Sequence, residues 1–292
     1  MPEGATGFAS GHMSAATLDS ATYPLPAPAF QSGESAVAVA RKRGQVGVVF
    51  SYRNRDPWSC SPPTTFPSLN ILAVDTSGEA CSVALLTGTE LRQRLVREPR
   101  RHGELVLTMM DRLLAEAGIG LTRLDALAFG RGPGSFTGVR IAASVVQGAA
   151  YGADLPVVPV STLTALAQGY FRSRGVCRVL AALDARMGEL YWGPYQFGDG
   201  DLMQAAGVEE VASPEAVALP ADGDWSGVGS GWATYGDVLR GRLGSRLLAV
   251  TPDALCEARD VAVLAAAELA QGHWVTAEQA RPVYLRERVT AG

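Results

Sequence analysis

Four of the eleven residues in Gly130-Arg131-Gly132-Pro133-Gly134-Ser135-Phe136-Thr137-Gly138-Val139-Arg140 are glycine. A stretch so poor in β-carbons lets backbone approach another group closely, and N–H groups at a helix start attract anions. The spacing matches neither the G-x-G-x-x-G of dinucleotide sites nor a phosphate loop ending in Gly-Lys-Ser/Thr. Two readings stay open: a ligand-facing loop, or a structural one that lets two helices pack closely. A second constellation is Asp75-Thr76-Ser77-Gly78, with Ile71 to Val74 before it and Cys81 to Leu86 after it. An Asp and two hydroxyls at such a strand-to-strand turn can hold a metal-bound phosphate; equally, Asp75 and Ser77 can bond their own turn backbone.

The elements that must position these groups are read from periodicity and turn signals. Strands are expected at 70–76, 81–87 and 90–96, a helix at 102–117, a strand at 124–130, a helix at 138–151, a strand at 156–159 and a helix at 161–171. Hairpin strands followed by alternating strands and helices predict an α/β protein with a mixed sheet covered by helices. A second round runs through strands at 178–184, 189–197 and about 208–212, with helices near 213–218, 233–239 and 257–270. Each round opens on a strand ending in Asp, first Asp75 and then Asp184, a weak internal echo that suits two duplicated halves, 69–172 and 173–292. Residues 1–68 are dominated by Ala, Ser, Pro and Gly. They are expected to be a flexible tail, or to reflect translation assigned from too early a start.

The helix at 102–117 is unusual in carrying Leu105, Val106, Met109, Met110, Leu113, Leu114 and Ala117 in two adjoining rows. Such a helix must be covered on more than one side. It is either buried within its own domain, or one row faces the sheet and the other, with its adaptable Met pair, meets a partner.

With 292 residues and 47% hydrophobic content, the chain can bury one large core or two modest ones. No apolar run reaches the roughly 18 residues that span a bilayer. The start lacks a charged segment leading into an apolar one, so a cytoplasmic location is expected. A formal charge of −4 argues against a strong autonomous grip on nucleic-acid phosphates. Cys60, Cys81, Cys177 and Cys256 are scattered, a pattern of reduced thiols; Cys81 and Cys177 are expected to be small core residues.

These segments, with Arg101-His102-Gly103-Glu104-Leu105, Pro159-Val160-Ser161-Thr162-Leu163 and Asp184-Ala185-Arg186-Met187-Gly188-Glu189-Leu190-Tyr191-Trp192, resemble the bacterial TsaB (YeaZ) family over about residues 70–286. The resemblance implies an actin-like ATPase fold (ASKHA, ribonuclease H-like) of two related mixed-sheet halves. It also implies a non-catalytic partner of the TsaD enzyme, which places a threonylcarbamoyl group on the adenosine 3′ of the anticodon in certain tRNAs. The extension 1–68 departs from the family, whose sequences begin near position 70.

From the resemblance, the partner interface is expected on His102, Leu105, Val106, Met109, Met110 and Leu113 of one helix and on Val139, Ala142 and Val146 of the next. The same helices would serve self-association; a TsaE-type ATPase is a further partner, and tRNA is contacted only indirectly. A charge placed at Leu105 or Met109 is expected to abolish pairing without unfolding. Asp75, Thr76, Ser77, Gly132, Gly134 and Asp184 would be vestiges of a nucleotide site, in which Arg186 and Met187 replace small residues of a second phosphate-binding hairpin. In the usual adenosine region, Gly227-Val228-Gly229-Ser230-Gly231-Trp232 would admit a flat ligand unless Trp232 fills the space. No catalytic residue, cofactor or metal is expected. TsaD relatives carry His-x-x-x-His from the position of His102, whereas here the second place holds Val106, leaving His102 as a helix-start hydrogen bonder. The alternative is an ATPase or kinase of the actin-like superfamily using Asp75, Thr76 and Asp184. The closing Arg281-Pro282-Val283-Tyr284-Leu285-Arg286 is read as an extended segment docked on the surface.

Overall fold

A computed structural model describes residues 68–98, 100–198 and 202–286, with the backbone of two short antiparallel strands, β1 (Val39–Lys42) and β2 (Gln45–Val48). Apart from those two strands, the reading of residues 1–68 lies outside the described residues. Ile71, Leu72, Ala73 and Val74 expose no surface, so β3 (Asn70–Asp75) is apolar on both faces and must be central in its sheet. It pairs antiparallel with β4 (Cys81–Thr87), which pairs antiparallel with β5 (Glu90–Val96). On its other side β3 runs parallel to β6 (Ala126–Gly130), and β6 to β7 (Val157–Val160), in the order β5-β4-β3-β6-β7. The helices α1 (His102–Ala117) and α2 (Phe136–Ala153) cover one face, packing Val106, Met110, Leu113 and Val146 against Leu72, Val74 and Phe129.

The next helix, α3 (Thr162–Arg174), leaves this sheet for the second one, packing Leu166 and Phe171 against Val179 and Tyr195. That sheet is built from β8 (Arg178–Arg186), β9 (Glu189–Phe197), β10 (Met203–Ala205), β11 (Glu210–Ala212), β12 (Trp225–Val228) and β13 (Leu247–Thr251). Its order is β10-β9-β8-β12-β13, with β11 added on β9. Helix α4 (Gly231–Leu243) covers the other face around Trp192, Trp225 and Trp232. The last helix, α5 (Ala258–Ala270), returns to the first sheet and closes its second face with Val261, Ala262 and Ala265 over Ile71 and Ala73. Two helix-covered mixed sheets of this kind form the actin-like fold.

Two local expectations are corrected. Residues 213–218 form a single turn, not a helix: the N–H groups of Ala216 and Val217 donate to Ser213 O, but Ala218 N–H donates to the Glu210 carboxylate at 2.7 Å, which ends the pattern. Cys177, expected in the core, is exposed at the edge of β8, whereas Cys81 is fully buried.

Candidate functional site

Asp75 ends β3 with 1% of its surface exposed. Its Oδ1 accepts the Ser77 N–H at 3.1 Å and the Ser77 hydroxyl at 2.9 Å, so the turn-bonding arrangement is the one present. Burial pushes the Asp75 carboxyl up from the ordinary 3.8 to about 6, against the smaller opposing effect of its hydrogen bonds from Ser77 and Cys256. Burial first, and the Asp75 charge second, raise the Cys81 thiol to about 12; the Cys256 thiol rises for the same reasons. Neither is a nucleophile at neutral pH.

The glycine-rich loop lies on this turn. A β-carbon on Gly130 would strike Asp75 Oδ2, one on Gly138 would strike Thr76 O, and one on Gly134 would sit 2.6 Å from Ser77 O. Thr76 Oγ1 donates to Gly138 O at 2.7 Å, and Ser135 N–H donates to Ser77 O at 2.7 Å. The group that the loop approaches is therefore its own chain. The structural reading holds, with a loop-to-turn contact in place of the helix-to-helix one. Gly132, at φ 100° and followed by a cis peptide to Pro133, faces the tail instead: its absent β-carbon would lie 3.1 Å from Val283 O.

Asp184, the counterpart of Asp75 in the second sheet, is engaged by its own hairpin. Its Oδ1 accepts Arg186 N–H at 2.8 Å, its Oδ2 pairs with the Arg186 guanidinium at 3.1 Å, and its N–H donates to Ser230 Oγ on α4's N-cap at 3.2 Å. In the adenosine region the indole of Trp232 fills the space beside Gly227, whose β-carbon would collide with the ring, and its Nε1–H donates to Leu180 O at 2.9 Å. The segment 225–228 is a central strand, not a ligand loop. Of the two carboxylates that the nucleotide reading would use, Asp75 is sealed within its own turn and Asp184 is paired with Arg186.

The expected interface residues are placed differently from the reading. Val106, Met110, Leu113, Val139, Ala142 and Val146 are buried in the chain's own core, and Met109 is only 5% exposed; Leu105 alone is half-buried. Both rows of α1 are consumed, one by the sheet and the other by α2 and its surroundings. A charge at Met109 would enter the core, so that substitution cannot report on pairing alone. His102 is buried too, and its Nε2 finds no partner among the described residues; its carbonyl accepts the Cys81 thiol at 3.9 Å. It is not the helix-start bonder expected. The first turn is tied instead by Arg101 to Glu104 at 2.9 Å. What α1 and α2 do expose is Leu107 at 55%, Phe136 at 60% and Tyr151 at 74%, beside half-buried Ile141 and Val145.

One further group escaped sequence reasoning. Glu209, ahead of β11, accepts from Tyr195 Oη at 2.6 Å and from Ser161 Oγ, and lies 3.7 Å from Arg131 of the glycine loop. Burial and this carboxylate raise the Tyr195 phenol. The tail 281–286 docks on the surface as expected: Val283 N–H donates to Arg131 O at 2.8 Å, and Arg286 pairs with Glu189. Lone acids and aromatics far apart in sequence carry no motif that could have announced the Glu209 cluster.

The fold and site thus define a class: an actin-like α/β protein whose Asp75 turn is packed against its own glycine-rich loop. Residues 97–290 match the protein family described as TsaD, tRNA N6-adenosine threonylcarbamoyltransferase. The tRNA threonylcarbamoyladenosine biosynthesis protein TsaB of Escherichia coli K12 is 43% identical over 224 residues, 76% of this chain and 96% of that protein. Its Haemophilus influenzae counterpart is also 43% identical, with the same shares covered. The solved structure of YeaZ from Pseudomonas aeruginosa is 49% identical and superimposes with a TM-score of 0.70 over 74% of this chain and all of that one. A second solved structure, described as an uncharacterized protein with similarity to peptidase YEAZ from Pseudomonas aeruginosa, is 48% identical with the same TM-score. The chain belongs to the TsaB (YeaZ) family.

Proposed function

We propose that this chain is a non-catalytic subunit that pairs with a TsaD-type protein and supports threonylcarbamoylation of the adenosine 3′ of the anticodon in tRNA. The observation that carries this reading is the packing of Gly130, Gly134 and Gly138 against the Asp75 turn, where the buried carboxylate is bonded to Ser77 of its own chain. The relatives named for tRNA threonylcarbamoyladenosine biosynthesis support the pathway. The pairing surface is assigned to the outer faces of α1 and α2, where Leu107, Phe136 and Tyr151 stand exposed beside Ile141 and Val145. Self-association would use the same faces and so compete with pairing, and a TsaE-type ATPase would join the assembled pair. An acidic chain makes tRNA contact indirect. The setting is cytoplasmic; no helix among the described residues is long and apolar enough to cross a membrane.

The test compares the isolated chain, the TsaD-type protein alone and the mixture for complex mass, ATP turnover and tRNA modification. Modification should require the mixture, and the isolated chain should turn over no ATP. Modification or ATP turnover by the chain alone, lost in Asp75→Ala, would replace this reading with the enzymatic one.

A further inference from the structure

The tail 281–286 builds a surface at the start of α2. Anchored through Val283 to Arg131 and through Arg286 to Glu189, it sets the Tyr284 ring 6.2 Å from that of Phe136. The Arg140 guanidinium lies 3.2 Å over the Phe136 ring and 5.1 Å from the Tyr284 ring. Tyr284 is 49% exposed and Phe136 more so. Of the arginines around this end of the molecule, Arg131, Arg186 and Arg286 each have a carboxylate, from Glu209, Asp184 and Glu189. Arg140, like exposed Arg281 of the tail, has none within ion-pair distance among the described residues; the one polar contact of Arg140 is a long bond of 3.4 Å to Phe136 O. The first turn of α2 holds no acid, so the positive end of its dipole adds to the same local excess.

We propose that the docked tail and α2 together form a seat, Phe136, Arg140 and Tyr284, for a carboxylate-bearing segment of the partner protein. The inference rests on the pairing reading above and names the chemistry of one part of that contact. A guanidinium lying over a ring is restrained there, and apart from the long bond to Phe136 O its N–H groups are left to meet a carboxylate. Arg, Tyr and Phe on a partly apolar surface are the types that anchor interfaces. The seat is continuous with the outer face of α2, which favours protein over RNA. A chain of net charge −4 resists a long polyanion, while a single carboxylate needs only the local cation.

The experiment is calorimetric titration of the full chain with the TsaD-type protein of the same organism, at about 50 and about 300 mM salt. Arg140→Gln and Tyr284→Ala are each expected to weaken binding about tenfold or more at low salt, and Arg140→Gln to flatten the salt dependence. If Arg140→Gln melts earlier than the wild type, Arg140→Lys is read in its place; it keeps the charge without the fork and should still bind more weakly. Wild-type pairing that neither variant alters overturns the seat alone, whereas no pairing by the wild type overturns the pairing reading and the seat with it. Loss of tRNA binding by free Arg140→Gln with pairing unchanged also overturns it, in favour of an RNA contact.

Discussion

Replacing Asp75 by asparagine should stabilise the protein at neutral pH and do nothing in acid. The carboxyl is 1% exposed and titrates near 6 when folded, against the ordinary 3.8 expected when unfolded. Between those values the folded state holds more protons than the unfolded one, so stability falls as pH rises through that window. Above it the full penalty applies: a shift of about two units at 1.36 kcal/mol each is about 3 kcal/mol. Asparagine imitates the protonated acid. Its Oδ1 keeps the bonds from Ser77 N–H and Oγ–H, and its Nδ2 can donate to Ser77 Oγ, which lies 3.1 Å from Asp75 Oδ2. Urea unfolding of both proteins from about pH 4 to pH 7.5 should show a difference near zero at the acid end. It should grow to about 3 kcal/mol above pH 6, or roughly 6–12 °C in Tm for a chain of this size. A variant no more stable than the wild type at neutral pH would refute the reasoning. The carboxylate would then be charged and compensated, as an enzyme needing it for a metal-bound phosphate would require.

Gly138→Ala should prevent folding or cost more than about 3 kcal/mol, because its β-carbon meets backbone at Thr76 O; Gly148→Ala, in open space on α2, should gain about 0.5–1 kcal/mol, both read by urea unfolding. Leu107→Glu should keep the wild-type melting temperature and lose co-purification with a TsaD-type protein. Met109→Glu should instead be insoluble or melt far lower, since its charge would enter the core. Glu209→Ala should cost about 2–3 kcal/mol by leaving the Tyr195 hydroxyl and Ser161 without their acceptor, while Glu209→Gln recovers most of it in the same melts.

Legibility in the sequence followed the range of the interactions. Strand β3 could be read because four apolar residues in a row end at an Asp. Strand β12 could not: Trp225-Ser226-Gly227-Val228 has little strand character, and it is held by parallel neighbours on both sides, β8 at Val179 to Ala181 and β13 at Ala249 to Thr251. The doubly apolar pattern of α1 correctly demanded two coverings. Periodicity does not say whose atoms provide the second, and here α2 and the sheet of the same chain do. Glycines at 130, 134 and 138 announced a close approach; only the parallel pairing of β3 with β6, which brings the ends of the two strands together, makes Asp75 to Ser77 the thing approached. Phe136 and Arg140 stood within the most conspicuous motif, yet their stacking waits on Tyr284 from the other end of the chain.

Contacts between the two sheets bear on how such a body can serve as a scaffold. Hinge closure around a ligand requires halves that separate at low cost. Here Glu209 binds Tyr195 of β9 and Ser161, the N-cap residue of α3, the helix that carries the chain from one sheet to the other. Arg131 extends that cluster to the glycine loop, and the tail runs from Arg131 to the β8–β9 turn at Arg186 and Glu189. Moving the sheets apart would break the part-buried phenol-carboxylate bond and unseat the tail together, at a cost of several kcal/mol. Helices α1 and α2 are held in one arrangement by their shared core on the first sheet, and a surface already in its bound shape loses little entropy on association.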